Sequence, residues 1–262
     1  MSPLIDTQFD GHVHTRLCNH AEGEMEDYVR AAIERGLRTM CFLEHLETEI
    51  NYQPSCWLED ETFVEYFAEG ARLKEHYQDQ IEIRLGVEMG FNPLAVEATQ
   101  ARLQHFPIER IGLSCHFHLY EGRHLNLLSR RRQSLDILAE LGPDQVLSTY
   151  LDTLTVAVAT VNCDVLCHLD AALRHLPGIS FNAEHKIQIG HLLDTVKTQE
   201  TALEINTSGF DYRGSAFPAP WIITEALKRD IPLQAGSDAH RPQDVGRYFQ
   251  DLPDYLEPLR PA

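Results

Sequence analysis

The stretch Phe9-Asp10-Gly11-His12-Val13-His14-Thr15 decides the reading of this chain. Phe9-Asp10-Gly11 closes a short apolar run, and two histidines follow it two residues apart. In an extended segment residues i and i+2 point to the same side, so His12 and His14 can aim two imidazoles at one centre. A helix comes next: Met25, Val29, Ala32 and Ile33 recur at helical spacing, and Gly36 stands where a C-terminal cap belongs. Thr39 to Leu43 then reads as a second strand. Further strands are expected at 81–87, 110–115, 164–167, 201–205 and 231–235. Helical segments fall between them, within 62–77, 94–103, 146–158, 187–196 and 221–228. No repeat, low-complexity tract or linker divides the chain. Repeated βα units predict an α/β class fold around a parallel sheet, in one domain spanning 1–262, closed or nearly closed into a barrel.

Composition narrows the function. The 262 residues carry 22 Lys and Arg against 40 Asp and Glu, a formal charge of −18. Nucleic-acid binders usually carry the opposite sign, so no nucleic-acid partner is expected. No basic segment followed by an apolar run opens the chain, and no stretch approaches the ~20 apolar residues that span a bilayer. Cysteines 18, 41, 56, 115, 163 and 167 form no CxxC pair, which reads as free thiols in a reducing compartment. A soluble, cytoplasmic protein without a membrane partner is expected; the oligomeric state is left open.

The fourteen histidines are the unusual count. His12 and His14 follow the first strand, Glu44 and His45 end the second, and Glu88 ends the third. His116 and His168 end the fourth and fifth, and Asp238 with His240 follows the seventh. In α/β barrels that C-terminal rim is where active sites are built. Imidazole with carboxylate suits Zn, Mn or Fe better than Ca or Mg, and these residues are too many for one tetrahedral ion. Two or three divalent ions bridged by Glu88 would use them all. A lone histidine at a strand end is more often a hydrogen-bonded core or surface residue, but so many strand ends with ligand chemistry favour metal. Cys115 and Cys167 are expected to turn their sulfurs towards the helix layer as buried filler.

These pieces in this order resemble the PHP (polymerase and histidinol phosphatase) family of metal-dependent phosphoesterases. They are Asp10 to Thr15, Glu44-His45, Gly86-Val87-Glu88, Ser114-Cys115-His116, Cys167 to Asp170 and Gly236 to His240. Cys18-Asn19-His20-Ala21 and Glu204-Ile205-Asn206-Thr207-Ser208-Gly209 look most like the histidinol-phosphate phosphatase branch. The resemblance implies a distorted (β/α)7 TIM-like barrel. It also implies three metal sites: His12, His14, Glu88 and Asp238; Glu88 with His116 and His168; and His20, His45 and His240. Three departures stand out. Cys167 replaces a usual Gly, Met89-Gly90 follows Glu88 where an acid is common, and Asp211-Tyr212 delays the basic residue Arg213.

The implied chemistry is hydrolysis of L-histidinol phosphate, or of another small phosphorylated substrate, by hydroxide bridging two ions. Asp238, His240 and Glu88 are the expected catalytic residues. Screening limits the −18 surface field to roughly 8 Å, so the ions' local field prevails in the pocket. Arg213 and Arg174 are expected to clamp phosphate, with Arg16 and Arg130 to Arg132 as further candidates and His118 as a possible substrate contact. Asp170 is expected to orient a ligand imidazole. The rival enzyme class is the amidohydrolases, which also begin with HxH but usually bridge through a carbamylated lysine; here no Lys lies at a strand end. A closed structural metal site is the non-enzyme alternative.

Overall fold

The computed structural model describes residues 3–261. Its elements are β1 (Phe9–Val13), α1 (Met25–Glu34), β2 (Thr39–Glu47), α2 (Asp60–His76), β3 (Glu82–Gly90), α3 (Val96–His105) and β4 (Arg110–Ser114). The chain continues through β5 (Phe117–Tyr120), β6 (Arg123–Asn126), α4 (Arg132–Glu140), α5 (Pro143–Thr160), β7 (Val165–Leu166) and α6 (Ala183–Thr198). It ends with β8 (Ala202–Asn206), α7 (Gly209–Arg213), α8 (Pro220–Leu227), β9 (Leu233–Gly236) and α9 (Leu252–Leu256). Seven strands pair in the order β1-β2-β3-β4-β7-β8-β9, every pair parallel.

The sheet closes on itself where β9 meets β1. Val13 bridges Ala239, and the His14 N–H donates to the Ala239 carbonyl at 2.9 Å. Asp10 completes this seam: its carboxylate accepts the N–H of Ser237 at 2.9 Å and of Gly246 at 2.8 Å. Burial pushes the Asp10 carboxyl pKa up, against the pull of these hydrogen bonds. Asp10→Ala orphans two buried N–H groups at about 1–3 kcal/mol each. It should therefore lower the urea unfolding free energy by about 2–6 kcal/mol, and an unchanged midpoint would show that the seam does not need this side chain.

The main core lies between the strands' outer faces and the helices, with Tyr28, Phe42, Phe63, Tyr66 and Leu154 fully buried. A second, small cluster of Cys41, Leu43, Val165 and Cys167 fills the barrel interior. Leu43 occupies space left by Gly86 and Gly112, where an added Cβ would come within 3.0 and 2.5 Å of its side chain. Cys167 corrects one expectation. Val165 and Cys167 alternate inward on the same side, so this sulfur lies inside the barrel, whereas Cys115 joins the main core as expected.

The stretch after β4 is also more ordered than its sequence reads. β5 and β6 form an antiparallel hairpin joined by Glu121-Gly122, both at positive φ (47° and 73°). Two positive φ values are the pattern of a tight hairpin turn. Glutamate at its first position hides the usual Asn-Gly signal. Among the described residues no helix is long and apolar enough to cross a membrane.

Candidate metal centre

Glu88 is fully buried near the end of β3, and five imidazoles surround its carboxylate. Oε1 lies 2.7 Å from His168 Nε2 and 3.1 Å from His116 Nε2. Oε2 lies 3.0 Å from His45 Nδ1, 3.4 Å from His12 Nε2 and 3.6 Å from His14 Nε2. Asp238 approaches from the other side, with Oδ1 at 3.4 Å from His14 Nε2 and 3.9 Å from His12 Nε2. His20 and His240 face each other through their Nε2 atoms at 2.9 Å. Residues from the ends of β1 to β4, β7 and β9 thus meet at one end of the barrel. His168 and Asp238 get there with left-handed backbones (φ 23° and 50°), costly conformations that concentrate at functional sites.

The donor set fits divalent cations. Glu88 Oε2, buried among three imidazoles, has no hydrogen-bond partner, and neither does His45 Nε2. Buried polar atoms in folded proteins are otherwise nearly always paired. His20 Nδ1 donates to the Cys18 carbonyl and His240 Nδ1 to the Asp238 carbonyl, both at 3.0 Å. Two Nε2 lone pairs are then left face to face. His12 and His14 also meet Nε2 to Nε2, at 2.9 Å. A cation held by His20 and His240 would turn that repulsion into coordination. The ligand atoms of His12, His14 and Asp238, of His12, Glu88 and His168, and of His14, His45 and His240 each lie within 4.8 Å of one another.

Proton affinities follow the same charges. Burial would raise the Glu88 pKa, but His116, His12 and His168 outweigh it and hold the carboxyl well below its ordinary value. Burial would lower that of His116, but Glu88 and Glu47 push it up to about 10. Burial, then His14, keeps His45 and His240 well below the usual histidine value, leaving neutral imidazoles as a metal requires.

Residues 10–208 match the family model described as PHP domain, and 223–256 match the model described as PHP-associated. The chain belongs to the PHP family. It is a phosphoric monoester hydrolase of that family. A relative from Deinococcus radiodurans, named a probable histidinol-phosphatase, is 29% identical over 92% of this chain and 90% of its own length. A solved Listeria monocytogenes structure has the same fold: TM-score 0.85 at 21% identity, covering 93% of this chain and 99% of that one. The histidinol phosphate phosphatase of Lactococcus lactis, solved with Zn, L-histidinol and phosphate, aligns with TM-score 0.77 at 21% identity. That alignment covers 97% of this chain and 94% of the other.

In this PHP barrel the centre opens into a cavity of about 280 Å3 whose walls include Tyr52, Asn126, Arg131 and Arg174. Arg174 stacks over Tyr212 at 4.4 Å. Arg213 is elsewhere: it makes a bidentate pair with buried Asp170 at 2.8 and 3.2 Å and stacks on Phe217 at 4.2 Å. That pair corrects two expectations, since Asp170 serves Arg213 and the Ala219 N–H instead of a ligand imidazole, and Arg213 does not line the cavity. His118 is displaced too: it lines a separate small cavity beside Phe91 and Thr149. Arg16 pairs with Glu24 at 2.5 Å. Two buried carboxylates to which sequence reasoning gave no role contact the imidazoles: Glu47 lies 2.7 Å from His116 Nδ1 and Glu204 2.6 Å from His12 Nδ1. Glu44 accepts the Thr15 N–H at 2.8 Å.

Proposed function

We propose that this PHP phosphatase hydrolyses L-histidinol phosphate to L-histidinol and phosphate, in the cytoplasm, as a step of histidine biosynthesis. The observation that carries the reading is the Glu88 carboxylate oxygen that lies among three imidazoles without an aligned hydrogen bond, in the wall of a cavity. A donor set of this kind, open on one side, belongs to catalysis more than to a closed structural site. His12, His14, Glu88 and Asp238 would hold one ion, Glu88, His116 and His168 a second, and His20, His45 and His240 a third. Zn, Mn or Fe held there would lower the pKa of a bound water and neutralise phosphoryl oxygens.

The chain supplies the rest. Arg174 and Arg131 line the cavity and carry the fork that matches phosphate in bidentate geometry. The Tyr212 ring holds Arg174 over the mouth, so its guanidinium loses little freedom on binding. Tyr52 and Asn126 offer a ring face and an amide to the organic part of the substrate. Glu88, Asp238 and His240 border the reacting phosphate in this reading.

The test is phosphate release from a panel of small monoesters, with Zn or Mn supplied. L-Histidinol phosphate should give the highest kcat/KM. Protein that leaves it intact while cleaving other monoesters would move the assignment to another small phosphorylated substrate.

A further inference from the structure

We infer that Glu204 is a positioning residue for the metal centre, with Asn206 as its extension: together they fix His12, His168 and Asp238 from beneath. The inference rests on the metal-dependent reading above. Glu204 and Asn206 stand two apart on β8, so both point into the barrel. Both are fully buried. Glu204 Oε1 accepts from His12 Nδ1 at 2.6 Å. Its Oε2 accepts the backbone N–H of His168 at 2.8 Å and the Asn206 amide at 3.1 Å. The same amide reaches Asp238 Oδ2 at 3.3 Å, and Asn206 Oδ1 is held by the Ser208 N–H at 3.1 Å. One short segment of β8 therefore grips groups from β1, the end of β7 and the loop after β9.

The chemistry explains why the residue is a glutamate. With Oε1 accepting, the His12 proton is fixed on Nδ1 and the Nε2 lone pair is turned to the centre. Three N–H donors converge on Glu204, which needs two acceptor oxygens. Glutamine offers one oxygen, and its NH2 would face a donor; aspartate is a methylene too short. Gly236 supports this independently. A Cβ there would stand 2.2 Å from Glu204 Oε1 and 2.9 Å from His12 Cβ, so the absent side chain makes room for the pair.

The experiment is Zn2+ affinity by competition with a chromophoric chelator, on wild-type and E204Q protein shown to be folded by circular dichroism. Losing such a partner typically costs about 10–100-fold in metal affinity, and that loss is the expected result. Folded E204Q with wild-type affinity would overturn the inference, because a residue that only supports the fold leaves the affinity of a folded protein unchanged. If E204Q does not fold, N206A decides: it cuts the link to Asp238, and a loss near the lower end, about tenfold, is expected. Unchanged affinity in folded N206A would equally overturn the inference. Wild-type protein that binds no divalent cation would sink the metal-dependent reading itself, a separate outcome.

Discussion

Glu88→Gln is expected to lower kcat by about a thousandfold or more and to strip bound metal, while the far-UV spectrum stays that of the wild type. One carboxylate faces all five imidazoles, His168 and His116 through Oε1 and His45, His12 and His14 through Oε2. A neutral amide of equal size bridges no ions and turns an NH2 towards imidazole nitrogens. Charge stabilisation by metal is worth several kcal/mol, and about 4 kcal/mol corresponds to a thousandfold in rate. Gln keeps the volume, but removing one partner from a buried charge cluster costs about 3–5 kcal/mol, so kcat is read on protein shown to be folded. Activity within tenfold of wild type would remove Glu88 from the centre of the mechanism.

Removing the metal should have the largest effect of all. Dialysis against a strong chelator is expected to abolish phosphatase activity, and Zn or Mn alone should restore it. Ions that bind only the folded chain add about 2.7 kcal/mol at a hundred times their dissociation constant. For a chain of this size that corresponds to roughly 5–10 °C in Tm. The sign with pH follows from the imidazoles. Without metal, Glu88 and Glu47 push His116 up to about 10, and Glu204 and Glu88, against burial, hold His12 well above its usual value. Both carry protons near neutrality and must release them to bind an ion. Metal affinity should therefore rise from pH 6 to pH 9, measured by calorimetry in buffers of differing ionisation enthalpy. Affinity that fell over this range would contradict the arrangement.

The barrel and the meeting of its histidines were legible because both rest on local pattern. Strands announce themselves by apolar runs, and ligand types at their ends stand at i and i+2, as His12 with His14 and Asp238 with His240 do. What escaped depends on distant partners. β2 was expected to stop at Leu43, yet its ladder to β3 continues through Glu47, opposite Gly90. Glu44 and His45 are expected at the strand's end, but Glu47 carries a charge further into the barrel, and only its distant partner His116 explains why the ladder runs on. Glu204 stands out in the sequence only as part of a run resembling one branch of the family; its contact with His12, on the far side of the sequence, comes from tertiary packing. Arg213 and Asp170 are likewise joined only by tertiary packing, which withdraws one expected phosphate clamp. Cys167 was misplaced for a local reason. His168 turns inward through a left-handed backbone, so it and Cys167 share a side that strict alternation would have divided between them.

Anomalous diffraction from crystals of the purified protein, collected above and below the absorption edge of the metal found by elemental analysis, tests the account most directly. Two or three peaks within coordination distance of Glu88, Asp238 and the surrounding imidazoles are predicted. Active crystals with no peak there, and those side chains hydrogen-bonded only to one another and to water, would contradict it.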